Sequence, residues 1–258
     1  MKKIKLGTES FWIVDCKISR EFPDMTKVFS AFRSLGIKND ATILDVGANI
    51  GLFTLSYLTL FKNSNVYSFE PVDYIFHNLN KSIKFNKKYK GRIKTFKYGF
   101  SDKNQDLDLS MPTAKQHPRY STNLADGLMS IHGKGKKKSK GSFITLDNFV
   151  RTEKIETIDF IKIDVEGHEF EVLSGGKDSI SKFKPIIQLE FNDLTKVLSQ
   201  YSIVDFEDLL NGFGYSFYGL EYGWPDHYTP LCSLKETQNI NVSDIVCINE
   251  SRKVFNTN

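Results

Sequence analysis

The nine residues from Ile43 to Gly51, ILDVGANIG, constrain the fold more than any other part of the chain. Ile43, Leu44 and Val46 with one acid, Asp45, run straight into two glycines four apart, the pattern of a buried strand that ends in a tight, glycine-lined turn. Gly47 and Gly51 lack the Cβ that would hold a ligand away from the backbone. The run Ile50 to Phe61 then reads as a helix whose N-terminal amides face the turn. A pyrophosphate turn needs G-x-G-x-x-G, whereas this chain offers G-x-x-x-G preceded by an acid, so the expected guest is a nucleoside without a pyrophosphate.

From Ala41 onward the pattern alternates. Strands are expected at Thr42 to Val46, Asn65 to Phe69 and Ile93 to Tyr98, with helices at Ile50 to Leu60 and Val72 to Asn86 between them; this rhythm means βαβ units and a parallel sheet. The polar turn and alternating leucines of SDKNQDLDLS suggest a short hairpin. Met111 to Ser142 is long and poor in apolar residues, which fits a binding loop or lid better than a connector. ITLDNFV then leads into a short helix, followed by a strand at Phe160 to Val165, a helix from about His168 to Ser174 and a strand at Pro185 to Phe191. A helix at Ile203 to Asn211 and closing strands at Tyr215 to Leu220 and Ile245 to Ile248 bring the count to about seven strands, the last two antiparallel. Residues 1–40, with Trp12, Phe22, Phe29 and Phe32, read as a lead-in packed on the core. Residues 41–258 read as one elaborated domain with a variable insertion at about 111–142.

With 258 residues, 40% of them hydrophobic, the chain can bury one substantial core. No run of about 18 apolar residues is present, and the basic start MKKIKLGTESFWIVD is broken by Gly7, Glu9 and Asp15 before a signal-peptide core can form. A cytoplasmic protein without a membrane span is expected. Cys16, Cys232 and Cys247 are too scattered for a disulfide framework or a zinc cluster and read as small core residues in a reducing compartment. A net charge of +4 is too mild to indicate nucleic acid. The lysines at 134, 136, 137, 138 and 140 lie in HGKGKKKSKG, which reads as a solvated loop that could also guide an anionic substrate.

Two further motifs sharpen the reading. Glu70 ends the second strand in VYSFEP, 19 residues beyond Gly51, where a doubly wound fold places the carboxylate that binds ribose hydroxyls. In IKIDVEGHE, Ile161 to Glu169, strand alternation puts Ile161, Ile163 and Val165 on one face and Lys162, Asp164 and Glu166 on the other. A buried row of this kind must converge either on a cleft or on ion pairs, such as Lys162 with Glu190 or Asp45.

Taken in order, ILDVGANIG, SFEP, GFSD at Gly99 to Asp102, ITLDNFV, and FIKIDVEGHEFEVLSGG followed by PIIQLEF resemble the FkbM-type family of S-adenosylmethionine-dependent methyltransferases, over roughly Thr42 to Asn192. The resemblance implies a class I methyltransferase fold, a Rossmann-like α/β architecture with a doubly wound, mostly parallel seven-stranded sheet and helices on both faces. It also implies S-adenosyl-L-methionine as cofactor and methylation of a hydroxyl on a sugar, glycan or small natural product. The cofactor set carried over is Asp45, Gly47, Asn49, Gly51, Glu70, Ser101, Asp102 and Asp164: Gly47 and Gly51 for the methionine portion, Asp45 for the ammonium, Glu70 for the ribose, and Ser101 with Asp102 for the adenine edge. Phe100 could cover the base or belong to the core.

A hydroxyl acceptor benefits from a general base. Asp164 and His168 are the candidates, with Lys162 and Glu190 completing the catalytic set. Asp164, Glu166, His168 and Glu190 could also assemble oxygen and nitrogen metal ligands, but the motif does not resemble that of metal-dependent catechol-type methyltransferases, and no metal is assigned. Two other readings compete. A nicotinamide oxidoreductase lacks its middle glycine, and a nucleic-acid-binding methyltransferase would use the 134–140 lysines without a stacking platform of interleaved aromatics. The tetrapeptide of amino-methylating nucleic-acid enzymes is replaced by DVEG, which favours oxygen as the acceptor. Lysines near His117, Arg119 and His132 suit an acceptor carrying phosphate or carboxylate.

Overall fold

The computed structural model describes residues 1–16, 24–26, 32, 35–113, 116, 129–191, 198–220, 228–231, 234 and 244–252. Its strands are β1 (Lys2–Leu6), β2 (Glu9–Ile13), β3 (Thr42–Val46), β4 (Asn65–Phe69), β5 (Ile93–Phe96), β6 (Gly99–Phe100), β7 (Gln105–Ser110), β8 (Lys138–Ile144), β9 (Phe160–Ile163), β10 (Ile186–Glu190), β11 (Tyr215–Leu220), β12 (Tyr228–Leu231) and β13 (Asp244–Asn249). The α-helices that cover them are α1 (Leu52–Leu60), α2 (Asp73–Phe85), α3 (Leu146–Thr152), α4 (Glu169–Ser174), α5 (Lys177–Phe183) and α6 (Ile203–Asn211).

The central sheet runs β12-β11-β13-β10-β9-β3-β4-β5. From β5 to β10 every pairing is parallel, whereas β13 is antiparallel to both β10 and β11. The seven strands expected from the sequence are all there, and β12 adds an eighth at the β11 edge. The continuous apolar strands reflect burial on both faces. On one face Ile43, Val66, Phe160 and Ile186 pack with Leu55, Tyr57 and Leu58 of α1; on the other, Leu44, Val46, Phe69, Ile161 and Ile163 pack with Phe149, Val172, Leu173 and Ile180 from α3, α4 and α5.

The first face is also covered by the β1–β2 hairpin, whose Ile4, Phe11 and Ile13 are buried in the same cluster. Trp12 points outward, 41% exposed, because strand alternation gives the inward positions to Phe11 and Ile13. Its backbone N–H donates to the Asn86 side chain at 2.9 Å and that of Val14 to Ser82 Oγ at 3.0 Å, which fastens the hairpin along α2. Phe32 is fully buried; Phe22 and Phe29 lie outside the described residues, as do Cys232, His117 and Arg119.

Three sequence expectations change. Helix α1 starts at Leu52, not Ile50, because Asn49 and Gly51 both have left-handed backbone, with φ of 50° and 92°. The alternating leucines of β7 do not form a local hairpin; β7 pairs antiparallel with β8, Asp108 opposite Lys140, across residues 111–137. The lysine stretch is therefore not all loop. Lys138, Lys140 and Ser142 form the exposed face of β8, while Gly141 and Phe143 face inward. A Cβ at Gly141 would lie 2.7 Å from the Pro71 Cβ, so the missing side chain lets the small β6-β8-β7 sheet close against the main body.

Candidate active site

The carboxyl ends of β3, β4 and β9 meet where the three motifs were expected. After β3 the backbone N–H groups of Gly47 and Ala48 both donate to the Phe69 carbonyl, at 3.1 and 2.9 Å. Gly47 has φ of 83°, and a Cβ there would sit 1.8 Å from the Asp164 carbonyl oxygen. The sequence assigns this glycine to ligand approach; the geometry adds a nearer reason, the approach of the β9 exit to the β3 turn. A Cβ at Gly51 would meet Leu79 Cδ1 of α2 at 2.8 Å.

Glu70 is only 5% exposed and is bound to this turn. Its Oε2 accepts the Asn49 backbone N–H at 3.1 Å and its Oε1 that of Val72 at 2.9 Å. Burial pushes the carboxyl up to about 7, against the pull of those two N–H donors and with help from Asp45 and Asp164.

A row of polar groups crosses the buried sheet on the α1 face. Register sets Ser68 beside Asp45, Asp45 beside Lys162 and Lys162 beside Gln188. Thr54 of α1 donates its hydroxyl to Asp45 and contacts Ser68 Oγ at 2.9 Å. Gln188 contacts Tyr57 Oη at 3.3 Å and donates to Asp244. Lys162, 3% exposed, reaches Asp164 Oδ2 at 2.5 Å and lies 4.3 Å from the Phe53 ring centroid. The expected ion pair of Lys162 thus forms with its own strand neighbour two residues on, with Asp45 as the second negative group.

The charge states follow from this arrangement. Burial alone would depress the Lys162 ammonium, but Asp164, Asp45 and Asp244 push it above the ordinary lysine value. Burial works against the Asp164 carboxylate as well, yet Lys162 and a hydrogen bond from Glu190 hold it below the usual range. Burial and the surrounding carboxylates push both Glu166 and Glu190 well above the glutamate range. Asp45, wholly enclosed, is pushed up by burial in spite of Lys162 and Thr54. At neutral pH Lys162 is therefore charged and pairs with an ionised Asp164, to which Glu190 donates a hydrogen bond. The Asp164 side chain is 27% exposed and so reachable from solvent.

The chain leaves β9 through Glu166 and Gly167, with φ of 57° and 95°. The Glu169 carboxylate caps this turn by accepting the Val165 and Gly167 N–H groups, each at 3.1 Å. His168 then begins α4. It is buried at 5% exposure, with Nε2 3.0 Å from Ser101 Oγ and Nδ1 3.2 Å from Glu171. Ser101 is buried and bonds Asp102 at 3.0 Å. Phe100 packs among Phe69, Tyr98 and Phe149 in the core.

The structure thus gathers Asp45, Gly47, Asn49, Gly51 and Glu70 around one turn. Lys162, Asp164 and Glu190 stand in a second group beside it, and Ser101, Asp102 and His168 form a third. Thr54, Gln188, Asp244, Ser130 and Glu171 were missed. Gln188 carried a signal, a polar residue two before Glu190 on a strand that otherwise reads as apolar; Glu171 carried another, three residues after His168 on a helix. Thr54 and Asp244 carry none, since each is ordinary for its local segment. Ser130 joins by donating to the Glu166 carbonyl at 2.7 Å, which packs the 129–137 segment beside the row.

Residues 45–217, about two thirds of the chain, match the methyltransferase FkbM domain. Hexuronic acid methyltransferase AglP of Haloferax volcanii is 27% identical over 169 residues, which cover 63% of this chain and 63% of that protein. The 2-O-methyltransferase NoeI of Sinorhizobium fredii is 26% identical over 204 residues, 72% of this chain and 78% of its own. The chain therefore spans somewhat less than two thirds of AglP. A crystal structure of the FkbM methyltransferase from Methylobacillus flagellatus shares the fold, with a TM-score of 0.51 at 17% identity, covering 83% of this chain and 44% of that one. With its parallel sheet, its glycine turn and an FkbM domain over most of its length, the chain belongs to the FkbM methyltransferase family.

Proposed function

We propose that this chain is an S-adenosylmethionine-dependent O-methyltransferase acting on a hydroxyl of a sugar, a glycan or a small natural product. The observation that carries the reading is Glu70, a buried carboxylate whose Oε2 accepts the Asn49 N–H of the glycine turn and whose Oε1 accepts the Val72 N–H at the start of α2. Each oxygen retains a lone pair for a ribose hydroxyl. The donor set suits the rest of the cofactor: Ser101 with Asp102 offers hydrogen-bonding groups for an adenine edge. Asp45, enclosed between Thr54 and Lys162, is assigned to hold the turn and the lysine rather than to touch the ligand.

When bound, S-adenosylmethionine supplies an electrophilic methyl group for in-line displacement. Lys162 keeps Asp164 ionised, and Asp164 accepts the proton of the attacking hydroxyl. Glu190, hydrogen-bonded to Asp164, orients the carboxylate for that proton. His168, held between Ser101 and Glu171, positions Ser101. The name of AglP, a hexuronic acid methyltransferase, favours a sugar acid as acceptor, that of NoeI, a 2-O-methyltransferase, favours oxygen, and the lysines at 134–140 suit an anionic sugar such as a uronic acid.

The test is a screen of uronic acids, neutral sugars and their glycosides with S-adenosylmethionine, scored by S-adenosylhomocysteine release and by a methylated product. Asp164→Asn is expected to lower turnover at least about tenfold, consistent with a lost general base. Methyl transfer to none of the sugars, or unchanged turnover in Asp164→Asn, contradicts the reading.

The raised Glu70 carboxyl adds a pH signature. Ribose hydroxyls favour its ionised form, whereas the free protein holds it protonated below about 7. Affinity for S-adenosylhomocysteine should therefore climb with pH, by up to about tenfold per unit below 7, and level off above 8. Calorimetry from pH 5.5 to 8.5 measures this, and Glu70→Gln should flatten the profile.

A further inference from the structure

A second cluster adjoins Ser101 through His168. His168 begins α4, Glu171 follows three residues later, and His132 comes from the segment between β7 and β8. One ligand atom from each lies within 4.8 Å of the other two. Glu171 Oε1 is 3.2 Å from His168 Nδ1 and 3.9 Å from His132 Nε2. His168 and Glu171 are 5% and 7% exposed, and the His132 side chain 14%. His168 Nδ1, His132 Nε2 and Glu171 Oε2 are all buried, and among the described residues none has a hydrogen-bond partner.

The opposite ring nitrogens are held. His168 Nε2 lies 3.0 Å from Ser101 Oγ, and His132 Nδ1 lies 3.2 Å from the Gln200 side-chain amide. Metal-binding histidines have this arrangement: the far nitrogen hydrogen-bonds, which fixes the tautomer and aims the near lone pair. With His168 Nε2–H donating to Ser101, its Nδ1 lone pair faces the Glu171 carboxylate. The atom beside His132 Nδ1 is the Gln200 Nε2; with that amide turned over, an exchange of nitrogen and oxygen that leaves its shape unchanged, the oxygen accepts from His132 Nδ1–H and the His132 Nε2 presents a lone pair to the same point. Two lone pairs and a carboxylate converging in a buried space call for a cation.

We propose that His132, His168 and Glu171 form a binding site for a divalent first-row transition metal, with zinc best suited to their chemistry. Two imidazoles and one carboxylate make a three-ligand set that leaves a fourth tetrahedral position for water. Tetrahedral zinc with bonds of about 2.0–2.1 Å separates its ligand atoms by roughly 3.4 Å. The 3.2 Å contact already fits, and the 3.9 Å contact needs to close by about half an ångström. The ion fastens the segment that carries Ser130 and His132 to α4. Through the Ser130 hydrogen bond to the Glu166 carbonyl, that fixes the wall beside the Lys162 and Asp164 row. Neither His132 nor Glu171 belongs to the set that carries the proposed methyl transfer, and the readouts below need no turnover.

The experiment uses the full chain without an affinity tag, freed of metal by chelator dialysis and confirmed folded by circular dichroism. Zinc is titrated by calorimetry, and cobalt is followed by its visible absorption. The expected result is one equivalent of zinc bound with Kd below about 1 μM, tetrahedral cobalt bands and a raised unfolding temperature. His132→Ala and Glu171→Gln should each weaken binding at least about tenfold, while His77→Ala, an exposed histidine on α2, should leave it unchanged. Absence of stoichiometric zinc binding by the folded wild-type protein overturns the proposal and leaves a plain His168 and Glu171 pair. Binding that neither His132→Ala nor Glu171→Gln weakens overturns it as well.

Discussion

Replacing Lys162 with methionine is expected to destabilise the protein by about 3–5 kcal/mol at pH 7, the typical cost of stripping a buried charge network of one partner. Lys162 is 3% exposed and is the ammonium that Asp164, Asp45 and Asp244 all face. Methionine fills a similar volume against Phe53, so the loss reports charge rather than packing. The deficit should depend on pH. The folded ammonium is held above its ordinary value of 10.5, so its contribution is complete at neutral pH and fades only in strong alkali. In the variant, Asp45 and Asp164 lose their counterion and can recover by taking up protons, so the gap to wild type should narrow as pH falls towards 5. Urea unfolding at pH 5 and pH 7 measures both. A loss under 1 kcal/mol at pH 7 would mean that the carboxylates do not depend on this lysine.

Gly47→Ala is the second large effect. With φ of 83°, the position is strained for any side chain, and the new Cβ would overlap the Asp164 carbonyl at 1.8 Å. Backbone, not a flexible side-chain tip, would have to move. The left-handed conformation costs about 1–2 kcal/mol and overpacking about 1–3 kcal/mol, so the variant should lose roughly 2–5 kcal/mol. The β3 turn and the β9 exit would separate, and the Asp164 carboxylate would shift from the turn. Gly91→Ala is the control: its φ is 89°, but nothing lies within 4 Å of its Cβ, so only the conformational cost applies. If the two variants are equally stable in urea, the close approach at Gly47 has no energetic weight.

The legibility of this chain follows the range over which each residue finds its partners. The β3 strand and turn could be read because burial, the acid and the two glycines are contiguous, and Glu70 because one βαβ unit fixes its distance. Strand alternation foretold the charged row of Lys162 and Asp164 and its need for partners. It could not identify Thr54 and Gln188, which reach the row from α1 and β10. The β7–β8 pairing was hidden for the same reason, since its two strands are separated by 27 residues, 111 to 137. Lysines on β8 resemble a loop in sequence because one face of that strand is left to solvent. Asn49 took its left-handed backbone from the turn, which delayed α1 by two residues. His132 joined His168 and Glu171 only through tertiary packing, with no local pattern to announce it.

Cofactor recognition at Glu70 underlies the roles assigned to the site, and calorimetric titration of S-adenosylhomocysteine measures it. Wild type, Glu70→Gln and Glu70→Ala would be titrated at pH 8, with NAD as the control ligand and unfolding temperatures to confirm that each is folded. Expected are micromolar binding to wild type, no comparable binding of NAD, and at least about tenfold weakening in Glu70→Ala, as loss of a charged hydrogen-bond partner worth about 1.5–3 kcal/mol requires. No binding of S-adenosylhomocysteine to the folded wild-type protein, or equal affinity in all three proteins, would contradict it.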